Sequence, residues 1–207
     1  LYIDIAATSR EEAESMVAVG DLAMFDSKPA LVGDNCLMGP YCDDLCSCIV
    51  LLMAMEQVDK SDNDLYFVFT TQEEVGSRGA KPATFAIAPD IAVAIDVTRA
   101  EEKGCPEKLK IKLGEGPTIK IKDGSVICSG ELVGKMRELA DKNGVKYQDE
   151  MLSEGGTDTS VMQVAGRGCM AGAISIPCGY IHTCNEMIDL NDVRGAIKLT
   201  ALICEGI

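Results

Sequence analysis

Short, almost continuously apolar runs alternate along the chain with longer segments of helical periodicity. Three apolar runs have the length of buried strands: residues 65–71, 91–95 and 171–176. The clearest helical segments are residues 43–58, 131–143 and 191–204. Strands that are apolar on both faces occur where helices cover both sides of a sheet. The alternation therefore predicts an α/β protein with helices on both faces of its sheet.

Charge and hydropathy exclude two classes of partner. The chain has 207 residues, 47% of them hydrophobic, and a formal net charge of −14. A surface this acidic repels phosphate backbones and anionic lipids, so we expect no nucleic-acid partner. The longest apolar run, residues 49–55, is too short to cross a bilayer, so we expect no membrane partner.

The ten cysteines favour a reducing compartment. A chain with such a high fraction of hydrophobic residues can build a core without disulfides, and free cysteine behaves as a small buried hydrophobe. We therefore expect thiols and a cytoplasmic location. A soft metal site at Cys42, Cys46 and Cys48 is the alternative, although a zinc knuckle needs a second ligand pair that the sequence does not show.

Weaker patterns predict further elements outside these segments. Ser9 and Glu12 form a capping box, which predicts a helix to about Val17. Short strands are predicted over four further runs: residues 1–6, 21–25, 30–32 and 108–113.

Acidic residues and the only histidine stand at the boundaries of the predicted elements. They are Asp43, Asp44, Glu73, Glu74, Asp96 and His182. Functional residues of α/β folds gather at the carboxyl ends of strands, so we expect these side chains to share a cleft. Taken singly, an acidic pair is typical of a solvated surface or a helix N-cap, and a lone histidine is typical of a structural role.

Clustered carboxylates are costly to bury unless a cation neutralises them. Aspartate, glutamate and neutral histidine are the ligands of hydrolytic zinc and cobalt sites. The set therefore predicts a metal site in which Glu73 and Glu74 divide metal binding and proton transfer.

Residues 70–80 read Thr-Thr-Gln-Glu-Glu-Val-Gly-Ser-Arg-Gly-Ala. This string resembles the signature of the dinuclear metallo-aminopeptidases related to glutamyl aminopeptidase and the tetrahedral aminopeptidases, some of which are also labelled cellulases or endoglucanases. Five other segments resemble this family in the same order: residues 43–44, 95–97, 113–117, 155–158 and 174–183. The resemblance implies a zinc-peptidase-like α/β fold with a central mixed, mostly parallel sheet.

The resemblance also implies a role for each matched residue. Asp43 would bridge two metal ions, and Glu73 would be the general base. Glu74 and Asp96 would be terminal ligands on separate ions, and His182 would complete one metal shell. The ions would be zinc or cobalt, with manganese as a third option.

Three further residues match the family around this centre. Asp44 would lie beside the bridging aspartate, and Thr157 and Asp158 belong to the Gly-Thr-Asp loop. We assign these three to the second shell or to substrate contacts.

The chain departs from the family pattern in two ways. The family has a further histidine upstream of Asp43, before an inserted β-rich domain, and this sequence has no histidine there. Residues 1–33 resemble the end of that insertion, so we expect them to be its remnant and residues 34–207 to be the catalytic domain. Leu45 and Gly179 stand where the family has arginine. We expect the missing histidine to weaken metal binding, and we expect the two arginine replacements to affect substrate preference and activity, so the chain could be inactive.

The expected function is metal-dependent removal of N-terminal residues from peptides, with self-association as in the family. One alternative is a non-catalytic or truncated relative that acts in assembly. Another is a related co-catalytic amidohydrolase or deacylase. Polysaccharide hydrolysis is disfavoured, because sugar clefts are rich in stacking aromatics and the chain has no tryptophan.

Overall fold

A computed structural model describes residues 2–105 and 109–207. These residues form six helices: α1 (Arg10–Met16), α2 (Cys42–Gln57), α3 (Ala80–Ile87), α4 (Gly130–Lys142), α5 (Thr159–Gln163) and α6 (Leu190–Gly206). They also form seven strands: β1 (Ala30–Val32), β2 (Cys36–Gly39), β3 (Ile91–Arg99), β4 (Thr118–Lys122), β5 (Gln148–Met151), β6 (Met170–Gly179) and β7 (Glu186–Asp189). None of the described helices is long and apolar enough to cross a membrane.

All seven strands belong to one mixed sheet, which confirms the predicted α/β class. β6 lies at its centre, with β3 along one edge and with β4 and β7 sharing the other edge. Within the described residues, β3–β6 and β4–β5 are parallel and the other four pairings are antiparallel. The sheet therefore has fewer parallel pairings than the sequence suggested, although the longest pairing is parallel.

The hydrophobic core lies between β6 and the helices that pack on it. Fully buried side chains come from β6, β4, α2, α4 and α6 and include Ile174, Ile176, Ile119, Val50, Leu132, Met136 and Leu199. Gly172 of β6 allows α4 to pack closely, since a Cβ there would lie 2.9 Å from Leu132 Cδ2. The two long apolar strands predicted around residues 91–95 and 171–176 are confirmed as β3 and β6.

A buried ion cluster joins β4 and β5. Lys120 Nζ lies 2.6 Å from Glu150 Oε1 and 2.9 Å from Asp123 Oδ2. The Thr118 hydroxyl donates to the second oxygen of Glu150. A buried charge is tolerated when it is paired and hydrogen-bonded, so this cluster is compatible with the dry interior.

The strand predicted over residues 65–71 is wrong. Residues 65–71 are mostly exposed and form no strand within the described structure. The only backbone–backbone hydrogen bond found for them there runs from the Gly79 N–H to the Thr71 carbonyl, at 2.9 Å. A strand needs a neighbouring backbone edge, and no described strand pairs with this segment.

The predicted helix over residues 43–58 is confirmed as α2, but α2 is buried on one face only. Cys46, Val50 and Ala54 face the core, whereas Leu45 is 59% exposed. The same open face carries Ile49, Leu52, Met53 and Met55. The helix is therefore covered on one face and open on the other.

Predictions for the N-terminal third were mixed. α1 is confirmed, with Ser9 Oγ accepting from the Glu12 N–H at 3.1 Å, and β1 pairs with β2. Residues 2–6, 21–25 and 109–113 form no strand, so those predictions are wrong, and residues 106–108 and Leu1 lie outside the described residues. Apolar alternation predicted strands there, but no described strand pairs with these segments. The division at residue 33 stays a prediction.

Candidate metal centre

Asp43 and Asp44 lie where β2 turns into α2. The turn begins at Tyr41, whose backbone is left-handed with φ 63°. Asp43 and Asp44 have non-helical backbone angles and are joined by a cis peptide bond, so the regular helix begins after them. The two carboxylates are therefore held at the start of the helix rather than along its side.

Asp96 comes from the sheet itself. It lies on β3 opposite Ser175 of β6 and is almost fully buried. Its Oδ1 accepts a hydrogen bond from the Val97 N–H at 2.8 Å. Hydrogen bonding of β3 to β6 along its length fixes the position of this carboxylate.

Glu73 and Glu74 lie in the turn that follows residues 65–71. The Glu73 carbonyl accepts from the N–H groups of Gly76 at 2.9 Å and Ser77 at 2.8 Å. Glu73 is half-buried and the Glu74 side chain is mostly exposed. Local turn hydrogen bonds, rather than a sheet, hold these two residues.

His182 lies in the loop between β6 and β7 and meets carboxylates from two other segments. Its Nε2 is 3.1 Å from Asp43 Oδ2 and 3.5 Å from Glu74 Oε2. The backbone at His182 is left-handed, with φ 63°. The only histidine of the chain therefore joins residues that are distant in sequence.

Two overlapping groups of side chains have the composition of a metal site. Asp43, Glu74 and His182 form one group, and Asp43, Asp44 and Asp96 form the other. Within each group the ligand atoms all lie within 4.8 Å of one another. Asp43 is shared by both groups, so its carboxylate lies within 4.8 Å of potential ligand atoms in each of them.

The electrostatics of the cluster show an excess of negative charge. Burial, with the charge of Glu74, raises the pKa of Asp43 to about 7. Burial also raises the pKa of Asp44 to about 8 and, with the charge of Asp44, holds the pKa of Asp96 well above its usual range. Bound cations would relieve this repulsion, so the donor set and its charge fit divalent metal ions.

Glu73 has a different environment from the groups just described. Burial and the nearby charges of Asp158 and Glu74 raise the pKa of Glu73. It belongs to neither of the two ligand groups. A half-buried carboxylate with a raised pKa, beside but outside the ligand set, is suited to proton transfer.

The two loop residues predicted for the second shell are placed differently. Asp158 is almost fully buried, and its Oδ2 accepts from the Thr70 hydroxyl at 2.6 Å. This bond ties the loop to the segment that leads to Glu73. The buried Thr157 hydroxyl instead lies 2.9 Å from the hydroxyl of Thr159, so the structure does not bring it to the carboxylates.

Sequence reasoning missed Glu186, the first residue of β7. Its Oε2 accepts from the Asp43 N–H and its Oε1 from the His182 N–H, both at 2.9 Å. An acidic residue four positions after the only histidine, at the start of an apolar strand, was the available signal.

Comparison with known proteins identifies the family. The sequence profile of M42 glutamyl aminopeptidase matches residues 1–199. A "Putative aminopeptidase" of Acetivibrio thermocellus is 44% identical over 199 residues, which are 96% of this chain and 60% of that protein.

Solved structures show the same similarity. Aminopeptidase APDkam598 from the archaeon Desulfurococcus kamchatkensis superposes with a TM-score of 0.92 at 39% identity, over 99% of this chain and 58% of that one. The TET1 peptidase of Pyrococcus horikoshii, which can assemble into a tetrahedron or a large octahedral shell, gives a TM-score of 0.84 at 34% identity over 99% of this chain and 60% of that one.

These similarities show that the chain shares its fold with solved aminopeptidases of the zinc-peptidase-like class. It belongs to the M42 glutamyl aminopeptidase family. The chain spans about three fifths of the length of these relatives.

Proposed function

We propose that residues 34–207 form the catalytic domain of a metal-dependent aminopeptidase that releases N-terminal residues from peptides. The observation that carries the proposal is the position of Asp43 in both groups of potential ligands. Membership of the M42 family and the name of the Acetivibrio thermocellus relative support the reaction class.

The residues that would hold two metal ions follow from the two groups. Asp43 would bridge the ions, with Glu74 and His182 on one side and Asp96 on the other. Asp44 is as close to Asp43 and Asp96 as a ligand would be, so it supports the second ion directly or through its neighbours. Oxygen donors with one imidazole suit zinc or cobalt, and manganese is the third option.

Two divalent ions at this position would polarise the scissile carbonyl and acidify a water molecule. Glu73 would take the proton of the attacking water and return it to the leaving amine. The raised pKa of Glu73, which follows from its burial and from the charge of Asp158, favours this exchange. Thr70 and Asp158 would keep Glu73 in place through the hydrogen bond between them.

The proposal is tested with the chain and with the complete product of its gene, each supplied with zinc or cobalt. Peptides with a free N-terminus should lose N-terminal residues. Glu73→Gln should lower kcat by about 10²- to 10⁴-fold while metal uptake is retained. Glu138→Gln, at an exposed position on α4, is the control and should be fully active. Metal-loaded protein that is inert on a broad peptide panel, or an active Glu73→Gln variant, would contradict the proposal.

The same assay separates the alternatives. Cleavage of N-acylated substrates in preference to free peptides would indicate a deacylase. Inert protein that still assembles would indicate a non-catalytic relative.

We also propose self-association, supported by the assemblies of the Pyrococcus horikoshii TET1 peptidase. A cytoplasmic location is supported by the ten free cysteines.

A further inference from the structure

Glu186 connects the two segments that carry Asp43 and His182. Its side chain is almost fully buried, at 3% exposure. Each carboxylate oxygen accepts one backbone N–H at 2.9 Å, Oε2 from Asp43 and Oε1 from His182. A single side chain therefore uses both of its oxygens on the backbones of two potential metal ligands.

The sheet explains how one residue reaches both segments. β7 pairs antiparallel with β2, and Glu186 lies opposite Gly39, the last residue of β2. From Gly39 the chain continues into the turn that contains Asp43, while the loop before β7 contains His182. The pairing of β2 with β7 thus brings together two ligands that lie far apart in sequence.

The backbone at both ends of this connection is unusual. His182 is left-handed with φ 63°, and so is Tyr41, two residues before Asp43. Residues with a side chain adopt this conformation at a cost, so surrounding interactions must hold it. The two hydrogen bonds to Glu186 are placed to hold the backbone at the ligand positions.

We infer that Glu186 is a positioning residue of the metal centre: its carboxylate fixes the separation of Asp43 and His182 by accepting their backbone N–H groups. This inference rests on the proposed metal-dependent function. Groups that orient ligands without touching the metal control metal affinity strongly. If Glu186 had a purely structural role, its replacement would have the same effect on metal binding as the replacement of another buried glutamate of the sheet.

Glu150 provides the matched control. It is also a fully buried glutamate of the same sheet, but it binds Lys120 and Thr118 on the side of the sheet away from β7. Glu150→Gln should destabilise the fold without affecting the metal centre. Glu186→Gln keeps the size of the side chain, but its amide nitrogen cannot accept, so one of the two N–H groups loses its partner.

The first measurement needs no metal. Amide hydrogen exchange, followed residue by residue by NMR on the metal-free chain, should show protection at Asp43 and His182. Glu186→Gln should accelerate exchange at one or both of these amides by about 10- to 100-fold, beyond any global change in stability. Glu150→Gln should leave the two amides unchanged relative to the global stability. Unprotected amides in the unsubstituted chain, or no change in Glu186→Gln, would overturn the inference.

The second measurement is calorimetric titration with zinc. Glu186→Gln should weaken zinc binding by about 10- to 100-fold, whereas Glu150→Gln should keep the unsubstituted affinity. Equal losses in the two variants would assign Glu186 a general structural role and overturn the inference. If the unsubstituted chain and gene product bind no zinc, cobalt or manganese, the proposed function fails. Glu186 then has no role at a metal centre. Faster amide exchange in Glu186→Gln would still show that the Glu186 side chain holds the backbones of Asp43 and His182 together.

Discussion

The two segments that bring acidic residues to the centre are held in different ways. β3, which carries Asp96, is hydrogen-bonded to β6 along its whole length and lies against α2. Residues 65–71, which lead to Glu73 and Glu74, are mostly exposed and pair with no described strand. Both segments have the same sequence pattern, an apolar run followed by acid, so the difference comes from tertiary pairing and not from local preference.

The residues of the candidate centre fall into the same two groups, those held by the sheet and those held by local turns. Asp43, Asp96 and His182 are anchored by the sheet or by Glu186, whereas Glu73 and Glu74 depend on turn hydrogen bonds. The side-chain bond between Thr70 and Asp158 links the unpaired segment to the buried loop before α5. We therefore expect substitutions in the paired part to affect global stability and substitutions in the unpaired part to act locally.

The largest effect should come from the paired side. Ile176 of β6 is completely buried, so Ile176→Ala removes packed atoms and leaves a cavity. We expect a loss of about 2–5 kcal/mol in the free energy of unfolding, measured by urea denaturation. A loss below about 1 kcal/mol would show that β6 is less tightly packed than described.

The pH dependence should be the next largest effect. The folded-state pKa values of Asp43, about 7, and Asp44, about 8, lie above the ordinary value of 3.8, so the folded chain binds protons more tightly than the unfolded chain. Their stabilising contribution is complete below pH 3.8 and is lost as the pH rises through 7 and 8.

Asp44→Asn should therefore stabilise the metal-free chain at pH 8 by about 1–3 kcal/mol and change it less at pH 4.5. Urea denaturation in the presence of a chelator measures both values. Parallel stability curves for Asp44→Asn and the unsubstituted chain would contradict this expectation.

A smaller and local effect is expected at the link between the two parts. Thr70→Val keeps the shape of the side chain but removes its hydrogen bond to the buried Asp158. The Gly79 amide, which bonds the Thr71 carbonyl, should lose about 1 kcal/mol of protection against hydrogen exchange. Thr71→Val is the matched control, because Thr71 bonds Gly79 through its backbone. Equal effects of the two variants would show that the hydroxyl of Thr70 is not the link.

The smallest effect is expected within the unpaired segment itself. Phe69 is 46% exposed, so Phe69→Ala removes few packed atoms. The free energy of unfolding should change by no more than about 0.5 kcal/mol in urea denaturation. A loss comparable to that of Ile176→Ala would mean that residues 65–71 are packed in solution, and the contrast between the two parts would disappear.

Sequence reasoning predicted the elements whose patterns are long and periodic. β3, β6, α4 and α6 agree with the predicted segments within a few residues, because their apolar faces have a helix or a strand to pack on. β2, β4, β5 and β7, each four or five residues long, were not predicted because they are too short to show a period. Residues 21–25 were wrongly predicted as a strand, because their alternating pattern is visible in the sequence whereas the lack of a neighbouring described strand is not.

In the candidate centre, too, the residues with a recognisable sequence pattern were predicted and the residue that depends on tertiary contacts was missed. Asp43, Glu74, Asp96 and His182 were found from element ends and from the family signature, and the structure brings their side chains together. Glu186 could not be found in this way, because its contribution lies in two hydrogen bonds to backbone groups. Such contacts depend on the pairing of β2 with β7, and the position of Glu186 four residues after His182 was the one trace of them in the sequence.

The exposure of residues 65–71 should also affect how strongly the protein associates in solution. Residues 65–71 expose strand-forming side chains such as Tyr66 and Phe69, and a strand-forming segment that pairs with no described strand can template contact with another chain. The net charge of −14 opposes such contact through mutual repulsion, which salt screens over about 10 Å at 0.1 M. Light scattering of concentrated solutions should therefore increase with ionic strength, and dilute salt should be the better storage condition.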